Sequence, residues 1–233
     1  MDHGANAGIS TGGRDRSGIA YRADRAADVE VRFFGKGVAG RDAELPVALV
    51  PLGLERAWLT QIHSAIVHEA RPGLVGEGDA LVSGARRLGL VVATADCVPL
   101  LIAGASRLAA VHAGWRGVAA RIVERALERL AEPARVAWIG PAIGGCCYEV
   151  GEEVAAAVVA ASDRSVLHPG SRGRPHLDLA SAVAAQLARA GVGEIRRASL
   201  CTRCSGDFWS HRRDGSAARR NLALIWRRGP ELA

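Results

Sequence analysis

The sequence predicts a single α/β domain, because short apolar segments typical of strands alternate along the chain with amphipathic segments typical of helices. The chain has 233 residues, of which 49% are hydrophobic, and this is enough to form one large core. Neither an internal repeat nor a linker divides it. We therefore expect one domain over residues 29–233, preceded by a flexible tail over residues 1–28, which lack hydrophobic periodicity.

The elements are predicted in chain order from the same patterns. Each predicted strand is a short apolar run bounded by polar or turn residues. Strands are expected at 29–34, 46–50, 88–93, 98–103, 107–113, 135–140, 194–200 and 221–226, with a further extended stretch at 58–68. Each predicted helix carries an apolar stripe at helical spacing. Helices are expected at 118–131, 152–162 and 178–190, the last beginning at Asp178 and stopping at Gly191.

The charge pattern bears on the partners of the protein. The formal net charge is +6, and Lys36 is the only lysine. Acidic residues are interleaved with the arginines along most of the chain, so nucleic acid is not an expected partner. Residues 196–228 are different, because many arginines there accompany only Asp207 and Asp214. This basic stretch favours an anionic ligand.

The cysteine content and the N-terminus indicate the compartment. The N-terminal residues contain no apolar core of a signal peptide, and no later run approaches the roughly 18 apolar residues of a membrane span. We expect a soluble, cytoplasmic protein without a membrane partner, and the sequence leaves its oligomeric state open. Five cysteines are an odd count for a disulfide framework, so their thiols are better read as metal ligands or nucleophiles.

One hairpin would bring a cysteine and a histidine together. In the segment TADCVPLLIAGASRLAAVHAGWRG, residues 94–117, Cys97 precedes one predicted strand and His112 ends the next. If a two-residue turn at 104–105 joins the strands, Cys97 lies opposite His112 with Cβ atoms about 4.5–5.5 Å apart. Pro99 argues against this register, since its position would need an N–H. The alternative is that Cys97 is a small buried hydrophobe and His112 a hydrogen-bonded core residue.

A second histidine could join this pair. In WLTQIHSAIVH, residues 58–68, Gln61 and His63 would share one face of a strand. A lone strand histidine is more often structural. Together, however, His63, Cys97 and His112 would form a His₂Cys set, which suits zinc with a fourth position open for chemistry.

The remaining cysteines carry a weaker signal. The motif CTRC, residues 201–204, is one Cys-x-x-Cys, whereas a structural zinc site needs a second pair. Cys146 and Cys147 are adjacent, which is an awkward geometry for two ligands of one metal. We expect these four cysteines to pack or to line a surface. The glycine-rich loop at 139–151 could approach an anion, although it matches neither common phosphate-binding spacing.

Several motifs taken together resemble the YfiH family, also called laccase-domain proteins, polyphenol oxidases or peptidoglycan editing factors. They occur in family order over residues 58–226 and read TADCVPLLI, AAVHAGWRG, IGPAIGGCCYEVGEEV, HLDLA and LCTRC…FWSHRRDG. The resemblance implies a single-domain, layered α/β/α fold with a mixed β-sheet, related to cysteine-hydrolase-like domains. It also implies a zinc held by His63, Cys97 and His112. The implied activity is phosphorolysis of adenosine, inosine and methylthioadenosine, together with adenosine deamination.

The chain departs from the family pattern near its front and at its end. Family members carry a Gly-Gly-Val-Ser segment and a Ser-Leu-Asn-Leu-Gly motif before Gln-x-His, but residues 33–63 are shorter and lack the second motif. Ribose or phosphate contacts made by that segment are therefore not assured here. The ARRNLALIW segment replaces the usual Gly-Arg ending, which leaves Arg219 or Arg220 as a substitute.

These residues suggest roles in a mechanism. Zinc held by the His₂Cys set would lower the pKa of a bound water to about 7 and so provide hydroxide for attack on C6 of adenine. Asp96 is the carboxylate nearest in sequence and is the candidate general acid. For phosphorolysis, Arg116, Arg212 and Arg213 are the candidate phosphate ligands.

Two other functions remain as alternatives, and a third is not expected. Cys97 could be the nucleophile and His112 the base of a metal-free hydrolase or deamidase. The chain could also be a binding or editing factor for peptidoglycan precursors with weak turnover. Multicopper oxidase activity is not expected, because a trinuclear copper cluster needs more histidines than the seven in this chain can supply, and zinc is favoured over copper.

Overall fold

Two mixed seven-stranded sheets form the centre of the protein. The structure is a computed structural model that describes residues 7–9, 11–14, 19–37, 54–170 and 173–228. Across the first sheet the strands are β1 (Ala7–Gly8), β15 (Glu194–Arg197), β12 (Val136–Ile139), β10 (Val98–Ala103), β11 (Leu108–Ala113), β8 (Ala80–Ser83) and β6 (Val67–Glu69). Across the second they are β2 (Thr11–Arg14), β3 (Ala20–Ala26), β4 (Val29–Phe34), β16 (Asn221–Arg227), β9 (Leu88–Thr94), β5 (Glu55–Thr60) and β7 (Gly73–Glu77). A small separate ladder joins β13 (Leu167–His168) to β14 (His176–Leu177).

Four of the five helices described pack against one face of the first sheet. They are α1 (Trp115–Ala119), α2 (Ile122–Leu130), α3 (Glu152–Ala161) and α4 (Leu179–Arg189), and the fifth is the single turn α5 (His211–Asp214). Strand β10 shows the layering, since Leu100 and Ile102 pack among residues of α1–α4, whereas Leu101 and Ala103 pack against the second sheet. Both faces of the first sheet are therefore buried, which explains its continuous apolar strands.

This arrangement confirms the mixed α/β class and corrects the predicted layering. The expected α/β/α order with one mixed sheet is wrong, because a second sheet occupies the face where a second helical layer was expected. Among the described residues, no helix has the length and hydropathy needed to cross a membrane.

The predicted tail contributes three strands to the domain, β1, β2 and β3. Strand β1 pairs with β15, β2 with β3, and β3 with β4, so the expectation of a flexible tail over residues 1–28 is wrong for Ala7–Gly8, Thr11–Arg14 and Ala20–Ala26. The buried carboxylate of Asp24 accepts hydrogen bonds from Trp138 Nε1 at 3.1 Å and from Arg196 at 3.0 Å. These partners lie far along the chain, which is why the charged segment YRADRA does not look like a strand in isolation.

Most other predicted elements are found near their expected positions. The stretch 58–68 divides into β5 and β6, and the strand predicted at 46–50 lies outside the described residues. The helix predicted at 118–131 is two helices, because Arg121 has a left-handed φ of 61° between α1 and α2. The Val118 carbonyl at this break accepts the backbone N–H of Arg121 and a second hydrogen bond, at 3.0 Å, from the buried side chain of Gln186.

The register of the β10–β11 hairpin also differs from the prediction. Val98 pairs with Ala113 and Pro99 with His112, so Cys97 is not directly opposite His112. The connection is a longer loop, whose Ser106 and Arg107 N–H groups donate to the Glu132 carboxylate at 2.8 and 2.7 Å. A side chain from the end of α2 therefore determines the turn, and the two-residue turn is wrong.

Candidate functional site

Three side chains converge at one end of the first sheet although their register was mispredicted. His63 follows β5, Cys97 immediately precedes β10, and His112 lies in β11. Their ligand atoms all lie within 4.8 Å of one another. Sγ of Cys97 is 3.9 Å from Nε2 of His63, and the two imidazole rings meet edge-on with centroids 4.8 Å apart.

The spacing and burial of this set suit a metal ion. Zinc bonds of about 2.3 Å to sulfur and 2.0–2.1 Å to nitrogen place tetrahedral S and N ligands about 3.6 Å apart, close to the observed separation. His112 is 3% exposed, Cys97 is half-buried and His63 is exposed. The set is thus anchored in the sheet and open on the His63 side, where a fourth ligand could enter.

Gly114, after β11, keeps space for this set. A Cβ atom there would lie 2.9 Å from Cδ2 of His63 and 3.2 Å from Sγ of Cys97. Any larger residue would therefore displace two of the three candidate ligands.

Asp79 orients the site, and sequence reasoning missed it. Its buried carboxylate accepts a 2.7 Å hydrogen bond from Nδ1 of His112, which leaves Nε2 facing the other two ligands. It also accepts the backbone N–H groups of Ile62, His63 and Ser64, and so holds the turn in which His63 has a φ of 60°. A carboxylate behind a ligating histidine is a common feature of zinc sites. Only its position just before β8 marks it in the sequence.

The ionisation of these groups follows from their proximity. Desolvation raises the pKa of Cys97, but the charges and hydrogen bonds of His112 and His63 outweigh it and lower the pKa to about 6. Desolvation lowers the pKa of His112, but Cys97 and Asp79 outweigh it and raise the pKa to about 9. Without a metal the pair is therefore a thiolate beside an imidazolium at neutral pH.

The set lies in the wall of an open pocket of about 370 Å³, a size that suits a small organic ligand. Aromatic and cationic side chains share this wall. They include Trp115, Tyr148, Arg116, Arg212, His211 and Arg220. Trp115, Tyr148 and His211 were not singled out from the sequence, although all three lie inside the motifs quoted above.

The candidate general acid, Asp96, lines the pocket with its carboxylate already engaged. One oxygen accepts the Thr202 hydroxyl at 2.6 Å, and the other accepts the backbone N–H of Arg212 at 2.8 Å. Asp96 is 6% exposed and has a left-handed φ of 92°. This geometry fits a residue that positions the Arg212 segment better than one that donates a proton.

The three candidate phosphate ligands separate into two groups. Arg116 and Arg212 line the pocket, and each stacks on an aromatic ring, Trp115 at 4.5 Å and Tyr148 at 4.9 Å. Arg213 is not among the pocket-lining residues. Its guanidinium donates to the carbonyls of Thr202, Arg203, Ser205 and Phe208 and pairs with Asp214. Arg213 therefore lies apart from the other two arginines with its donors on the backbone, and its predicted substrate contact remains a prediction.

Comparison with known proteins places this geometry in a family. A family model described as multi-copper polyphenol oxidoreductase laccase matches residues 43–228. A Deinococcus radiodurans protein named purine nucleoside phosphorylase is 43% identical over 197 residues, which cover 81% of this chain and 76% of that relative.

Solved structures share the fold. A Neisseria meningitidis protein of the DUF152 family superposes with a TM-score of 0.78 at 29% identity, covering 91% of this chain and 99% of that one. YfiH from Bacillus licheniformis superposes with a TM-score of 0.77 at 23% identity, covering 93% and 99%. The chain therefore belongs to the YfiH family, whose model is described as multi-copper polyphenol oxidoreductase laccase.

Proposed function

We propose that this protein is a zinc-dependent purine nucleoside phosphorylase that acts on adenosine, inosine and methylthioadenosine. The observation that carries the proposal is one pocket that combines a His₂Cys set with arginines and aromatic rings. The name of the 43% identical relative supports the same reaction.

Phosphate would bind to the arginines of the pocket. Arg116, Arg212 and Arg220 line it from three separate segments of the chain, and planar guanidinium groups bind phosphate oxygens through paired N–H donors. Stacking on Trp115 and Tyr148 limits the conformations of the first two arginines, which lowers the entropy cost of binding an anion. In the reaction a phosphate oxygen forms a bond to ribose C1′ while the C1′–N9 bond breaks, and the purine leaves with a proton.

Tyr148 is the candidate hydrogen-bond donor to the purine. Desolvation, with a further contribution from the nearby Cys97 charge, raises the pKa of Tyr148 to about 12. The phenol therefore keeps its proton at neutral pH and can donate a hydrogen bond to a ring nitrogen that becomes more basic as the glycosidic bond breaks.

The His₂Cys set would hold the zinc, with Asp79 fixing the orientation of His112. A zinc ion there would supply Lewis-acid activation of water or of a substrate oxygen or nitrogen. Deamination of adenosine in the same pocket would add water at C6 and release ammonia, leaving inosine. The donor set favours zinc over copper oxidase chemistry, since the described residues offer one His₂Cys group and one group of four cysteines, and no cluster of histidines.

Phosphorolysis can be tested directly by incubating inosine, adenosine and methylthioadenosine with phosphate and measuring release of the free base. Replacing Arg116 or Arg212 by alanine should raise the KM for phosphate at least tenfold, whereas Arg125→Ala on the exposed face of α2 should leave it unchanged. Removing the metal with a chelator should abolish turnover, and adding Zn²⁺ should restore it. A metal-free protein that retains full activity would contradict the zinc mechanism.

A thiol hydrolase or deamidase is the second candidate, because Cys97, His112 and Asp79 also form a nucleophile, base and orienting carboxylate in the metal-free chain. The two functions respond differently to reagents. If the hydrolase function holds, iodoacetamide should abolish amide hydrolysis and chelators should leave it intact. Amide substrates that stay uncleaved after complete metal removal would eliminate this candidate.

A further inference from the structure

Four cysteines form a second cluster, outside the pocket. Cys146 and Cys147 lie in the loop between β12 and α3, and Cys201 and Cys204 lie in the loop between β15 and α5. Their four sulfur atoms all lie within 4.8 Å of one another. The expectation from sequence that CTRC lacks a second pair is therefore wrong, because folding brings the adjacent cysteines to it.

The distances within this cluster fit ligands of one metal ion. Sγ of Cys146 lies 3.7 Å from that of Cys147 and 3.8 Å from that of Cys204, and the latter two sulfurs are 3.4 Å apart. Four thiolates around zinc at about 2.3 Å have sulfur separations of about 3.8 Å. A disulfide would require about 2.05 Å, and all four cysteines are free thiols.

Hydrophobic packing does not account for the cluster. Cys146 and Cys204 are exposed, whereas cysteines that serve as small hydrophobes are usually buried. Gly144 also approaches closely, since a Cβ there would lie 3.3 Å from the Cys146 sulfur. Because Gly144 has no side chain, the backbone of this loop can lie close to the cysteine sulfurs.

The sulfur of Cys201 accepts hydrogen bonds from the backbone of both loops. The backbone N–H of Gly144 donates to Sγ of Cys201 at 3.2 Å. The backbone N–H groups of Arg203 and Cys204 also donate to this sulfur. The Arg213 guanidinium, bonded to the carbonyls of this loop, adds a positive charge near Cys201. Backbone donors and a nearby cation are what a thiolate ligand of zinc requires.

We propose that Cys146, Cys147, Cys201 and Cys204 bind a structural zinc ion that joins two loops of the pocket wall. Tyr148, which follows Cys147, lines the pocket. Thr202, which follows Cys201, donates its hydroxyl to Asp96. The ion would therefore couple the positions of Tyr148 and Asp96 without contacting substrate.

The test is elemental analysis of full-length protein purified under reducing conditions. Wild type should contain two zinc ions per chain, Cys97→Ser one, Cys204→Ser one, and the double variant none. Replacing the metal of Cys97→Ser with Co²⁺ should give the intense charge-transfer absorption of a tetrathiolate site, and Cys204→Ser should lack it. Circular dichroism checks the fold, and Cys146→Ser, at the other exposed position, repeats the test.

Two results would overturn the proposal. One is a single zinc in wild type that disappears in Cys97→Ser and is unchanged in Cys204→Ser. The other is peptide mass spectrometry of the native protein that finds these cysteines joined in disulfides and free of metal. Because the readout is metal content, failure here is distinguishable from failure of the phosphorylase function.

Discussion

Replacing Asp79 by asparagine tests whether this carboxylate sets the geometry of the His₂Cys set. The change keeps size and shape but converts one acceptor oxygen into an NH₂ group. Asp79 is fully buried and accepts from His112, from three backbone N–H groups and from the Ser64 hydroxyl. The amide can accept at one oxygen only, so at least one buried donor loses its partner.

The expected magnitude follows from these contacts. Loss of a carboxylate behind a ligating histidine typically weakens metal binding by about 10–100-fold, or about 1.4–2.8 kcal/mol. An unsatisfied buried donor costs about 1–3 kcal/mol of folding stability in addition. Both effects should appear together, since Asp79 holds His112 and the His63 turn with the same two oxygens.

The assay is competition for Zn²⁺ with a chelator of known affinity, together with urea unfolding of the metal-free protein. Asp163→Asn is the matched control, because Asp163 also accepts a backbone N–H, that of Ser165 at 2.8 Å, but lies outside the pocket. An Asp79→Asn variant that binds zinc as tightly as wild type would refute the positioning role. A variant that loses folding stability but keeps its affinity for zinc would show that Asp79 stabilises the fold without positioning the metal ligands.

Three further predictions concern single residues. Glu132→Ala should cost about 1–3 kcal/mol in urea unfolding, because the hairpin loop loses its acceptors. Desolvation raises the pKa of Glu132, but hydrogen bonds from the Ser106 and Arg107 N–H groups outweigh it and hold the pKa below the usual 4.5. The contribution of Glu132 to the free energy of unfolding should therefore be complete above pH 4.5 and should be lost as the pH falls and the carboxyl of the folded protein is protonated. The Glu132→Gln variant should lack this pH dependence. Gly114→Ala should sharply lower zinc content while circular dichroism stays unchanged. Arg213→Ala should destabilise the chain by about 2–4 kcal/mol in thermal or urea unfolding, because several carbonyls lose their donor. A variant of unchanged stability with a raised KM for phosphate would instead support Arg213 as a substrate ligand.

The sequence by itself determined the local elements and the residue types of the first site. Hydrophobic periodicity and helix capping act between residues close in sequence. They account for the strands predicted at 88–93 and 98–103 and for the helix that begins after Asp178. The types and order of the motif residues also indicated a His₂Cys set. These signals depend on local sequence or on composition, so they can be recognised without a structure.

Tertiary structure decided what depends on residues distant in sequence. Glu132 sets the hairpin loop, Asp79 orients His112, and the Cys146–Cys147 pair meets the Cys-x-x-Cys motif only after two loops pack together. The second sheet likewise replaces an expected helical layer, since an apolar strand face does not specify what covers it. Hydrogen bonds and metal sites need atoms placed within a few tenths of an ångström, and only packing of the whole chain provides that placement.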